Sequence, residues 1–96
     1  MPPIKNPAPF YVTENLVKAK IINEKFTRLE GCTGTICILT LQNGFVVTGE
    51  SFCVDPVNFD QEIGKLLARK DAVAKIWPLE GYLAAERNYL DRIMKP

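Results

Sequence analysis

From Lys20 onward, apolar positions recur first with a period near two and then at spacings of three and four, which predicts a short sheet followed by a long helical region. Lys20 to Leu29 alternates imperfectly, with Ile22, Glu24, Phe26 and Arg28 on one face, and reads as a half-exposed strand. Gly31 and Gly34, with polar neighbours, mark a turn. Thr35 to Leu41 is a second strand and Phe45 to Val54 a third. Asn43-Gly44 between them is a strong hairpin signal, because both residues tolerate the positive φ of a tight turn.

The second and third strands are apolar on both faces, Cys37, Leu39, Leu41, Phe45 and Val47 against Ile36, Ile38, Val46, Phe52 and Val54. One helical region can cover only one face of such a sheet, so the other requires a second copy of the chain, and a homo-oligomer (dimer or higher) is expected.

Asp55-Pro56 is a helix opening, an acceptor for orphan amides followed by a residue suited to the first helical position, and Asn58 and Asp60 offer a slightly later start. Phe59, Ile63, Leu66, Leu67, Val73, Ile76 and Trp77 then form a core-facing stripe. Pro78 requires a kink or restart, after which Leu79, Tyr82, Leu83, Leu90 and Ile93 continue the pattern. Trp77 and Tyr82 read as core.

Residues 1 to 11 hold four of the seven prolines and form a proline-rich extended arm, either a surface tail or a strap laid on a neighbouring subunit through Phe10 and Tyr11. Thr13 caps a short helical turn through Lys18. The fold class is therefore α+β: the arm, then a single domain over 12–96 with a small antiparallel sheet of about three strands and a kinked or paired C-terminal helical region.

At 96 residues there is room for one core. Composition, 47% hydrophobic and 24% charged, is that of a soluble globule, and no apolar run is long enough to span a membrane. The N-terminus lacks the uninterrupted apolar core of an export signal, so a cytoplasmic location is expected. A formal charge of +1 gives no field to hold duplex nucleic acid. Cys32, Cys37 and Cys53 are an odd set, read as reduced core thiols. The chain has no histidine, so a metal site would have to draw on carboxylates, and none is expected.

The same absence removes the commonest general base, and the glycines match no phosphate-cradle pattern, so no catalytic residues and no cofactor are expected. A hydrolase using Glu50 is a distant third reading. Glu50 and Ser51 are either a solvated strand end or the lining of a small polar recess with Phe59 as its aromatic wall. Arg69, Arg87 and Arg92 are either solvated helix cations or phosphate ligands, Arg87 and Arg92 being brought to a neighbour's Phe59 in an intersubunit pocket.

Asn43-Gly44-Phe45, Gly49-Glu50-Ser51, Cys53-Val54-Asp55-Pro56, Asn58-Phe59-Asp60, Gly64, Lys75-Ile76-Trp77 and Leu79-Glu80-Gly81-Tyr82 together resemble the small bacteriophage protein family named after gene product forty-nine of an enterobacterial podophage. The resemblance implies a phage protein acting in the bacterial host cytoplasm. It also implies kinship with anti-Thoeris sponges, oligomers that bind glyco-cyclic ADP-ribose between subunits without degrading it; some hold cyclic oligonucleotides. The function expected from it is sequestration of a nucleotide-derived signalling ligand, with Phe59 under a base and arginine on phosphate. The alternative is a phage accessory protein that binds a host protein through its apolar surface. Ala68-Arg69-Lys70-Asp71 stands where relatives tend to carry an aromatic and an amide.

Overall fold

A computed structural model describes residues 8–95. Helix α1 (Glu14–Ala19) leads into strands β1 (Ile21–Arg28), β2 (Gly34–Leu41) and β3 (Val46–Phe52), and a 3-10 turn (Pro56–Asn58) precedes helix α2 (Gln61–Met94). The strands form an antiparallel meander in the order β1-β2-β3, as alternation and the glycine turns predict. Thr13 caps α1, its hydroxyl accepting the Leu16 amide.

The turn from β2 to β3 is tight, but only Gly44 takes positive φ, at 88°; Asn43 does not. The Gly44 amide donates to the Leu41 carbonyl and the Leu41 amide to the Phe45 carbonyl, so the connection is a three-residue loop with glycine at its left-handed position. Asn43 contributes through its side chain, whose Oδ1 accepts the Phe45 amide at 3.0 Å.

At the start of β1 a bulge between Ile21 and Asn23 changes the alternation. Ile21, Glu24 and Phe26 thus face α2 together with Thr35, Cys37, Leu39 and Leu41 of β2 and Val47, Gly49 and Ser51 of β3. The other face carries Ile36 and Ile38 at its centre, but Asn23, Lys25 and Thr27 flank them on β1 and Thr48 and Glu50 on β3. Val46 and Phe52 of β3 are exposed on that face too, so it is mixed, apolar along β2 and at the two ends of β3 and polar between them and on β1, where an unbroken apolar face was expected.

Asp55 and Asp60 are both caps, Asp55 of the 3-10 turn and Asp60 of α2, where its carboxylate accepts the Glu62 and Ile63 amides. Helix α2 then runs unbroken through Pro78, so no restart occurs. The proline removes the hydrogen bond to the Ala74 carbonyl, at a cost of about 3 kcal/mol. Ala74 and Pro78 both lie on the exposed side, where water can take the freed carbonyl.

Of the expected apolar stripe of α2, Ile76 is fully buried and Val73 packs against the core, but its other helical members do not face the sheet. The buried positions are Gly64, Ala68, Ala72, Ile76 and Glu80, one every four residues, and then Asn88 eight residues further on. Gly49 explains this choice: a Cβ there would collide with the Ala68 carbonyl oxygen and the Ala72 backbone nitrogen, so the helix backbone rests on the strand. Small residues permit that approach, and the large ones are turned outward. Ile63, Leu66 and Leu67 are exposed, and so are Trp77 (38%) and Tyr82 (69%), which correct their reading as core. The core proper is Val17, Cys37, Leu39, Leu41, Val47, Ala68, Ala72 and Ile76.

Of the proline-rich arm, residues 1–7 lie outside the described residues. Its end is tied to its own chain: the Asn88 side chain accepts the Phe10 amide at 3.0 Å and donates to the Phe10 carbonyl at 2.8 Å.

Two substitutions test this packing. Gly49→Ala is expected to cost more than about 3 kcal/mol, above the usual overpacking range because helix backbone and not a flexible side chain must give way, read as a lowered urea midpoint at unchanged slope. Thr35 Oγ1 is buried without a hydrogen-bond partner, so Thr35→Val is expected to raise stability by about 1 kcal/mol in the same assay.

Candidate functional site

Arg28, Thr35 and Ser51 form one row across the sheet, Thr35 being the register partner of both, and directly paired residues point to the same face. Here that face is the one under α2. The row lies at the sheet end from which the chain leaves β3 through the 53–60 loop, so the loop and the first turn of α2 close over it. Gly64 sits above Thr35, where a Cβ would stand 2.9 Å from the threonine hydroxyl.

Phe59 ends the 3-10 turn and is half-buried. Its ring forms a wall between two cavities. The smaller, about 100 Å³, is lined by Ser51, Cys53, Asn58, Phe59 and Ile63 among others. The larger, about 490 Å³, is lined by Arg28, Gly31, Cys32, Thr33, Cys53, Pro56 and Phe59. The Arg28 guanidinium carbon lies 4.7 Å from the centroid of the Phe59 ring, and Arg28 is in no ion pair among the described residues. A cation stacked on an aromatic face in an open cleft, with its donors unclaimed by carboxylate, can meet a planar ring and an anionic group together. Asp55 and Asp60, the nearest acids on the loop, are turned into the helix starts as caps.

The structure therefore brings Ser51 and Phe59 together at the recess expected where strand meets helix. Glu50 is not in that lining: neighbouring strand residues point to opposite faces, and Glu50 is exposed on the outer one, its amide donating to Asp71 Oδ2 at 3.0 Å. Arg69 is paired with Glu24, Nε to Oε1 at 3.2 Å, across the edge of β1. Arg87 lines a separate cavity with Phe10, Tyr11, Leu16 and Glu80, and Arg92 is exposed in the last turn of α2. At 1.5 Å per residue, Arg87 stands about 40 Å along the helix from Phe59 of the same chain.

Arg28 is the residue that sequence reasoning missed. Its signal was parity: it shares a strand face with Phe26 and ends β1 beside the glycine turn, at the same sheet end as the 53–60 loop.

The cysteines divide. Cys37 is buried, Cys53 half-buried and Cys32 exposed, so only Cys37 is the core thiol expected of all three. Burial pushes the Cys37 thiol up from its ordinary value, the charge of Glu24 adds to the rise, and Arg69 opposes it. Among the described residues no group of three or more cysteines and carboxylates could hold a metal ion, and no helix is long and apolar enough to cross a membrane.

A three-stranded meander crossed by one long helix, with a cleft lined by Arg28 and Phe59 at one end of the sheet, defines a small α+β protein. Residues 12–88 match the sequence model of the phage protein (N4 Gp49/phage Sf6 gene 66) family, and the chain belongs to that family. No curated protein and no solved structure matches it.

The thiol assignment has a direct check. At about pH 8, iodoacetamide should modify Cys32 and Cys53 and spare Cys37 until urea unfolds the chain. Because the folded thiol of Cys37 holds its proton to higher pH, its contribution to stability is present below the unfolded thiol pKa and is lost as pH rises through the folded one. A Cys37→Ala variant should lose less stability than the parent over that alkaline range.

Proposed function

We propose that this phage protein is a counter-defence sponge that sequesters a cyclic nucleotide-type immune signal of the glyco-cyclic ADP-ribose class, with cyclic oligonucleotides as related ligands, and does not degrade it. The observation that carries the reading is the Arg28 guanidinium over the Phe59 ring at the mouth of the 490 Å³ cleft. An adenine-like ring entering the cleft would stack on Phe59, and a phosphate would draw the Arg28 fork into bidentate contact. The reading keeps Phe59, leaves Ser51 in the smaller cavity on the far side of that ring, and gives the phosphate to Arg28 in place of Arg87 and Arg92. Sequestration depends on slow release, which stacking combined with a charge-assisted phosphate contact favours and turnover does not require. Family membership supports the phage setting.

A second reading, a phage accessory protein that modulates a host protein, draws on a different observation. Ile63, Leu66, Leu67 and Trp77 are exposed on the side of α2 turned away from the sheet.

Purified protein incubated with glyco-cyclic ADP-ribose, washed, heated and chromatographed separates these readings. Intact ligand released only by heating is the expected result. A converted product would point to an enzyme, and no retention would overturn the sponge and leave the host-protein reading. Phe59→Ala should weaken retention about 10- to 100-fold, the loss typical of one stacked base. Arg28→Glu should abolish it, with the far-ultraviolet dichroism of both variants unchanged.

A further inference from the structure

The two edges of the sheet, β1 and β3, are finished differently. In an antiparallel pair, residues that exchange hydrogen bonds alternate with residues whose amide and carbonyl point away from the partner strand. The Leu29 amide bonds to the Gly34 carbonyl and the Leu41 amide to the Phe45 carbonyl. Counted along the two registers, these bonds put the outward groups on Glu24, Phe26 and Arg28 of β1 and on Val46, Thr48, Glu50 and Phe52 of β3.

Helix α2 seals the middle of the β3 edge. Lys75 Nζ donates to the Thr48 carbonyl at 2.6 Å, and the Glu50 amide donates to Asp71 Oδ2 at 3.0 Å. Asp71 and Lys75 are themselves paired at 3.8 Å. The side chains of α2 above β1 leave its backbone alone: Arg69 holds the Glu24 carboxylate, and Lys65 lies 5.9 Å from the centroid of the Phe26 ring. Among the described residues nothing bonds to the outward amides and carbonyls of Glu24, Phe26 and Arg28.

We infer that the open edge of β1 receives an extended acidic segment of another polypeptide, which joins the sheet as a fourth strand beside Glu24, Phe26 and Arg28. This is independent of the nucleotide reading. Strand addition takes its affinity from main-chain hydrogen bonds and its specificity from the flanking side chains. From Glu24 to Arg28 the edge runs about 13 Å at 3.3 Å per residue, which admits a segment of about five residues.

Charge selects the occupant. Lys20, Lys25, Arg28, Lys65 and Arg69 stand along this side against Glu24, Glu30 and Glu62, and Glu24 and Glu62 are already held, by Arg69 and Lys65. Lys20, Lys25 and Arg28 are in no ion pair among the described residues. A strand with an acid at every second position would set carboxylates beside Lys65 and Arg69 on the helix side of the sheet, or beside Lys25 on the other. The β1 strand of a second copy would bring the same excess of cations, and like charges placed opposite one another are destabilising. Lysine on an edge strand is a usual guard against self-pairing. Here it excludes the chain's own copy and suits an anionic one.

The probe is a fluorescein-labelled ten-residue peptide of alternating Glu and Val, with its Lys-Val counterpart as control. In fluorescence anisotropy with the full chain at low ionic strength, the acidic peptide should bind and the basic one should not, and Lys25→Glu should weaken binding about tenfold. Two measurements read the backbone, which charge alone would not move. The acidic peptide N-methylated throughout keeps its carboxylates but has no amide to donate, and it should not bind. Amide exchange at Glu24, Phe26 and Arg28 should slow about tenfold when the unmodified peptide is added, with Thr48 unchanged. No binding at about 1 mM acidic peptide, equal binding of the basic or the N-methylated peptide, or binding without protection of those three amides would overturn the inference. So would protection of the same amides in the peptide-free protein that grows with its concentration, which would give the edge to a second copy.

Discussion

The contact between the backbone of α2 and Gly49 governs this structure. A glycine in an edge strand ordinarily weakens it, because nothing packs there and chain entropy is lost. Here the missing side chain lets a helix lie on the sheet at Ala68 and Ala72, so dispersion contacts are made at backbone distance. The approach is possible only if the helix presents small residues, and Gly64, Ala68 and Ala72 do so at successive positions one turn apart. Once that ridge is committed to the sheet, geometry places the leucines, the tryptophan and the tyrosines on the remaining faces. The exposed apolar surface of α2 is thus a consequence of how closely the helix sits.

Much of the fold was legible because local signals were strong and agreed. Asn43-Gly44 marked the hairpin, Thr13, Asp55 and Asp60 marked helix starts, and the period of two located all three strands within a few residues. What failed was the assignment of faces. A rule that turns the largest apolar residues inward selects Ile63, Leu66, Leu67 and Trp77 over Gly64, Ala68 and Ala72. Periodicity finds both stripes and cannot say which is buried. The glycine opposite decides it, and Gly49 is identified as opposite only once the strand register is known. The bulge at Ile21 to Asn23 is invisible for the same reason, since it exists only relative to β2.

The candidate site was legible in its aromatic and not in its cation. Phe59 and Ser51 lie close in sequence, so a strand end followed by a helix start was enough to place them at one recess. Arg28 is remote in sequence, and it reaches Phe59 because a meander returns the end of β1 to the sheet end where β3 leaves. The helical arginines were the expected phosphate ligands, yet Arg69 is held by Glu24 and Arg87 is far along the helix. Proximity in an antiparallel sheet follows register, which charge counts do not contain.

A single ridge of α2 also shows how side-chain size and polarity record what covers each level. Against Gly49 the ridge is alanine, because the surface opposite is backbone at closest approach. At Ile76 the sheet has receded enough for a branched side chain, fully buried. By Asn88 the surface opposite is again backbone, but an isolated segment at Phe10 that has no strand beside it. An amide then replaces the alkyl group, giving Phe10 the donor and acceptor that a neighbouring strand would have supplied. A buried polar residue on an otherwise apolar ridge is costly unless paired, and here its pairing explains its position.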